Sequence, residues 1–123
     1  MQIVGLDHVQ LAMPAGEEAA ARTFYGDILG LTEVTKPEPL QARGGCWFAG
    51  SGTALHLGVE LDFAPARKAH PALRVADLAA ARQHLVRAGV AIIADDTLPH
   101  VRRCYIADPW GNRIELLQDG DTY

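Results

Sequence analysis

The stretches DHVQLAM, Asp7 to Met13, and AHPALRV, Ala69 to Val75, are two spellings of one pattern: a histidine opens an apolar-rich run of strand length. With His8 laid on His70, Leu11 falls on Leu73 and Met13 on Val75. Downstream of each run, apolar residues recur at helical spacing. Ala21, Phe24, Tyr25, Ile28 and Leu29 do so in the first copy, and Leu78, Ala81, Leu85 and Val86 in the second, so each run precedes a helix with one buried face. Asp77 stands where an N-cap accepts an early helical N–H, and Gly30 and Gly89 stand where each helix ends in a left-handed turn. The first copy is longer ahead of its glycine, and AGEE near the helix start takes up the extra residues.

Strand-like segments follow each helix. CWFAGSGTALHLGVEL, from Cys46, corresponds to CYIADPWGNRIELLQD, from Cys104. The turn GSGT lies on DPWGN and the strand ALHLGV on RIELLQ, which places His56 on Glu115. Asp-Pro followed by Gly-Asn supplies the fixed φ and the positive φ that a tight reversal needs, so each half ends as a hairpin. The expected fold is α+β: one domain over residues 1–123 made of two βαβββ modules, 3–60 and 67–118, joined around DFAPARK.

Composition narrows the function. A chain of 123 residues with 49% hydrophobic and 21% charged residues is ordinary globular material. A formal net charge of -4 leaves no broad basic footprint for nucleic acid. The N-terminus lacks a basic, apolar leader and no run approaches the roughly 20 apolar residues that span a bilayer, so a cytoplasmic location without membrane association is expected. Cys46 and Cys104 have no CxxC spacing and read as small core residues.

A duplicated half-barrel folds about a pseudo-twofold axis, so the paired positions His8/His70 and His56/Glu115 are expected to converge. Three imidazoles and one carboxylate form the donor set of a divalent transition metal. His56 lies between Leu55 and Leu57, and Glu115 between Ile114 and Leu116, so each faces away from its apolar neighbours. His8 or His70 alone reads as a structural or surface histidine; equivalence under the repeat is what points to metal. His84 and His100 read as helix-edge and loop histidines. Of Arg102 and Arg103, adjacent on one strand, one must face each side of the sheet, and either could meet an anionic substrate. Trp47, Phe48, Tyr105 and Trp110 are strand and turn aromatics; Trp47 and Tyr105 are the candidates to line a substrate pocket.

The motifs LDHVQLAM, FYGDILGL, AHPALRV and DPWGNRIELL, in this order along the whole chain, resemble the vicinal oxygen chelate superfamily of glyoxalases, bleomycin resistance proteins and extradiol dioxygenases. The resemblance implies a glyoxalase-like fold, an open cupped mixed sheet around a divalent ion (zinc, nickel, iron or manganese). It implies His8, His70 and Glu115 as metal ligands, with His56 at the fourth ligand position, where glyoxalases commonly carry a carboxylate. His56 is then either a ligand or a general base, and His56 and Glu115 are the candidate catalytic residues. It further implies a homodimer whose sites are built across two chains. The implied activity is that of a metal-dependent lyase or isomerase acting on a small oxygenated substrate. The alternatives within the superfamily are a drug- or toxin-binding protein of the bleomycin-resistance type and an extradiol dioxygenase.

Overall fold

Alternation along the two hairpin strands decides what each sheet buries. The computed structural model describes Met1–Tyr123, and the chain divides into two units, Met1–Ala64 and Pro65–Tyr123. The first unit runs β1 (Val9–Met13), α1 (Glu18–Ala21), a π-helical continuation over Arg22–Ile28, β2 (Thr32–Val34), α2 (Glu38–Gln41), β3 (Cys46–Gly50) and β4 (Thr53–Val59). The second runs β5 (Ala72–Val75), α3 (Leu78–Arg87), β6 (Ile93–Asp95), β7 (Arg103–Ala107) and β8 (Arg113–Gln118). Each is a βαβββ module; the first carries the extra short helix α2.

The sheet orders are β1-β4-β3-β2 and β5-β8-β7-β6. In each sheet the first strand pairs in parallel with the last, and the remaining pairings are antiparallel. The helix supplies the crossover that a parallel pair requires. On one face of the first sheet, Leu11, Leu57 and Cys46 lie across from one another, with Phe48 beside Leu55, and all are buried. Phe24 and Tyr25 complete this core, Tyr25 stacking on Phe48 at 5.7 Å. In the second sheet Cys104 faces Leu116 and Ile106 faces Ile114, while Leu78 and Leu85 of α3 are buried on the helix that packs on β8. Full burial of each such large apolar side chain contributes about 1.5–3 kcal/mol. Both cysteines belong to these cores, and burial pushes the Cys46 thiol up to about 11.

The helix of the first unit departs from the α pattern that its spacing suggests. The Leu29 N–H reaches back five residues to the Phe24 carbonyl at 2.9 Å. Thr23 and Gly26 weaken the α-helix here, and the wider π turn carries the adjacent Phe24 and Tyr25 into the same core. Helix α3 stays regular, with the Asp77 carboxylate accepting the Ala80 N–H at 3.0 Å. No helix is long and apolar enough to cross a membrane.

The turn between α2 and β3 is tightly constrained. Gly45 has φ +80°, and a Cβ there would lie 2.1 Å from the Leu57 carbonyl oxygen. Gly45→Ala is expected to cost about 3 kcal/mol, the left-handed penalty plus a backbone clash that forces β3 from β4. Urea unfolding measures this as a lowered midpoint at unchanged slope.

Candidate functional site

The strand register sets out equivalent rows in the two units. Gln10, His56, Trp47 and Val34 lie side by side across the first sheet, and Ala72, Glu115, Tyr105 and Ile93 across the second. His56 and Glu115 therefore hold matching central places, each on the face opposite to the leucines and isoleucine that flank it in sequence.

In the first unit these groups form an aromatic ladder. The buried His56 ring lies flat on Trp47, with centroids 3.8 Å apart and planes 2° apart, and His8 covers its other side at 4.1 Å and 20°. His56 makes no hydrogen bond, and burial, followed by the neighbouring His8, pushes its pKa down, so the ring is held neutral. His8 is oriented by its sequence neighbour: its Nδ1 lies 2.7 Å from Asp7 Oδ1. A carboxylate only accepts, so Nδ1 carries a proton and donates it, leaving Nε2 as the outward nitrogen. The same bond holds the Asp7 carboxyl below the usual carboxylate range. The two rings stack face to face in nearly parallel planes.

The second unit repeats the device with different partners. His70 Nδ1 lies 2.8 Å from the Lys68 carbonyl oxygen, which can only accept, so Nδ1 again carries the proton. The remaining nitrogen, Nε2, stands 3.1 Å from Oε2 of the buried Glu115. That spacing fits two donors each about 2.1 Å from one cation. A histidine whose second nitrogen is fixed by a backbone or side-chain oxygen is the arrangement that orients metal ligands. Both His8 and His70 have it.

Around Glu115 sits a polar cluster. The Tyr123 hydroxyl donates to Glu115 Oε1 and accepts from Arg103 Nη1. The bond to Glu115 pushes the Tyr123 phenol up, which keeps it a donor. Arg103 Nη1 also lies 3.7 Å from Glu115, and Nη2 bonds Asp95 at 2.9 Å and Thr97 at 3.2 Å. Its Nε is buried and has no partner. Tyr105 meets His70 edge-on at 5.4 Å, and the Arg113 guanidinium lies 3.8 Å over the Tyr105 ring.

β8 is set in place by the turn Asp108–Asn112. The buried Asp108 carboxylate accepts N–H bonds from Trp110 (3.0 Å) and Asn112 (2.8 Å) through Oδ1, and from the Asn112 side-chain amide (2.8 Å) through Oδ2. Asn112 Oδ1 in turn accepts from the Ala66 N–H at 2.9 Å. Gly111, at φ +99°, closes the turn.

Of the residues singled out from the sequence, His8, His56 and Trp47 come together in one unit, and His70, Glu115, Tyr105 and Arg103 in the other. No three histidine, cysteine or acidic side chains lie together as a ready metal cage. Arg102 is apart from both. It is exposed and forks onto Asp121 at 2.9 and 3.0 Å, holding that carboxyl down to about 2. The alternation argument had left open which arginine faces the row of Glu115, and it is Arg103. Sequence reasoning missed Asp7, Lys68, Arg113 and Tyr123. The Asp-His pair at residues 7 and 8 was a usable signal; the others act through register and a carbonyl, which carry none.

Residues 5–116 match the family model described as Glyoxalase/Bleomycin resistance protein/Dioxygenase superfamily. No curated protein matches the chain in sequence. Among solved structures, a glyoxalase family protein from Bacillus anthracis is 47% identical, with 96% of this chain and 97% of that chain covered and a TM-score of 0.93. An antibiotic binding protein from Streptomyces is 24% identical, covering 95% and 98%, with a TM-score of 0.69. A fosfomycin resistance protein from Listeria monocytogenes is 16% identical, covering 95% and 94%, with a TM-score of 0.74. The last two share the fold.

Proposed function

Because the chain belongs to the Glyoxalase/Bleomycin resistance protein/Dioxygenase superfamily, we propose that it is a metal-dependent enzyme of lyase or isomerase type. In this reading His8, His70 and Glu115 hold one divalent ion (zinc, nickel, iron or manganese) against a small oxygenated substrate. The observation that carries it is His70: its Nδ1–H is spent on the Lys68 carbonyl while Nε2 faces the buried Glu115 carboxylate at 3.1 Å. Nε2 and the carboxylate are within hydrogen-bond distance of each other, and at that spacing a cation about 2.1 Å from each would be shared by both donors.

Such an ion supplies Lewis acidity to adjacent substrate oxygens and stabilises an oxyanion. The chain's own groups do the rest. Asp7 and Lys68 fix the two imidazoles so that Nε2 of each is available. In this reading His56, without a hydrogen bond and with its pKa pushed down by burial, serves either as the general base that takes a proton from the substrate or as a fourth ligand. Trp47 shields its far face from water. Arg103 and Arg113, held over the Glu115 side of the sheet, are placed to meet negative charge on the substrate.

A homodimer is the proposed assembly; sedimentation at micromolar concentration should give twice the chain mass. Elemental analysis of protein purified without added metal tests the function itself. About one ion per chain is expected, falling below about a tenth of that in His70→Ala, since losing a ligand costs more than the 10–100-fold of losing an outer partner. One observation favours the second reading, a non-catalytic binder: the Trp47–His56–His8 ladder offers flat apolar surface. A metal-free wild type that still binds planar ligands would establish it instead.

A further inference from the structure

A cleft of about 250 Å³ opens in the first unit on the row that carries His56. Its walls include Trp47, Leu40 and Val59, and its polar lining includes Gln10, Lys36 and Arg43. No acidic side chain lines it. Lys36 Nζ donates to the Gly44 carbonyl, which leaves further N–H groups free, and the Arg43 guanidinium makes no hydrogen bond or ion pair. The carboxylate packed behind this turn, Glu18, is already spent on the Gly45 N–H at 2.9 Å. Arg43 has no ion-pair partner and Lys36 has only Glu18, behind the turn, near it, so with no acidic side chain in the lining the two cations place positive potential in the cleft. The glycine turn builds it: side chains at Gly44 and Gly45 would run into Val59 and Leu57.

We propose that this cleft binds the carboxylate of a small organic acid, with Arg43 and Lys36 on the carboxylate and the acid's apolar body against Trp47. A guanidinium fork matches the two oxygens of a carboxylate, and the fully apolar Leu40 and Val59 have no use for a bare inorganic anion. Trp47 is the link to chemistry, because the same indole lies 3.8 Å from His56. An acid seated there would rest on the indole that covers His56. That this acid is the substrate of the metal site rests on the function proposed above; that the cleft binds it does not.

The test uses metal-free wild-type protein and the NMR signal of the Trp47 indole N–H, told apart from that of Trp110 by Trp110→Phe or, should that variant misfold, by Trp47→Phe. The probes are benzoate, its neutral analogue benzamide, and inorganic phosphate. Benzoate is expected to shift the Trp47 signal saturably, with affinity about tenfold or more above that of benzamide, and Arg43→Met and Lys36→Met each to weaken benzoate about fivefold or more while leaving benzamide unchanged. Equal affinity for benzoate and benzamide, binding of phosphate in place of benzoate, or indifference to both substitutions would overturn the proposal. The two readings fail separately. Benzoate bound by a protein that retains no metal leaves the acid site standing and removes the metal enzyme; a protein that retains metal but ignores benzoate does the reverse.

Discussion

Asp108→Ala is expected to lower the stability of the protein by about 3–4 kcal/mol. The carboxylate is 5% exposed and accepts three N–H bonds, two of them from Asn112, which is 1% exposed. Truncation removes the acceptor of three buried or part-buried N–H groups, and each lost acceptor costs about 1–3 kcal/mol. It also frees the side chain that holds the Ala66 N–H, so the connector ahead of β5 and the turn ahead of β8 loosen together. Asp108→Asn should cost less, because one amide oxygen still accepts the two backbone N–H groups. It then turns an NH2 toward the Asn112 NH2, which cannot reverse without abandoning Ala66. Denaturant unfolding of the two variants should therefore rank wild type above Asn above Ala.

The second large effect concerns the site. Glu115→Gln is expected to reduce bound metal from about one ion per chain to less than about a tenth, with the fold retained. The amide keeps the volume and can still accept from Tyr123, but it removes the negative charge and puts either a poorer oxygen donor or an NH2 opposite His70 Nε2. Arg103 does not become an uncompensated charge, because Asp95 stays bonded to it at 2.9 Å. Far-UV circular dichroism and the unfolding midpoint should stay near the wild type while metal content collapses, which separates a lost ligand from a lost fold.

Much of this was legible in the chain itself. The histidine repeat, the Asp77 cap, the two helix-ending glycines and the polar residues set between apolar ones on β4 and β8 are local or periodic signals, and they place the modules, the strands and the faces. The equivalence of His56 with Glu115 followed from aligning the two hairpins, and the register bears it out as matching central positions. What could not be read was whatever depends on which strands lie side by side. The stacking of Trp47 on His56 needs the β3–β4 register, and the hold of Lys68 on His70 uses a backbone carbonyl that any residue would supply. The π-helical winding of Arg22–Ile28 was hidden for another reason: its apolar spacing satisfies an α-helix equally well, and only the need to bury both Phe24 and Tyr25 selects the wider turn. Lys36 and Arg43 fall in a segment with no periodicity, and only the folded turn at Gly44 and Gly45 brings them to one cleft.

The central claim is that the two orienting histidines and Glu115 share one ion. A crystal structure of the protein grown with a divalent transition metal, with the ion located by its anomalous scattering, tests it most directly. One peak per chain, with Nε2 of His8, Nε2 of His70 and a Glu115 carboxylate oxygen each at about 2.0–2.2 Å, is the predicted result. A peak bound by other residues, or no peak beside Glu115 under metal-saturating conditions, would contradict it.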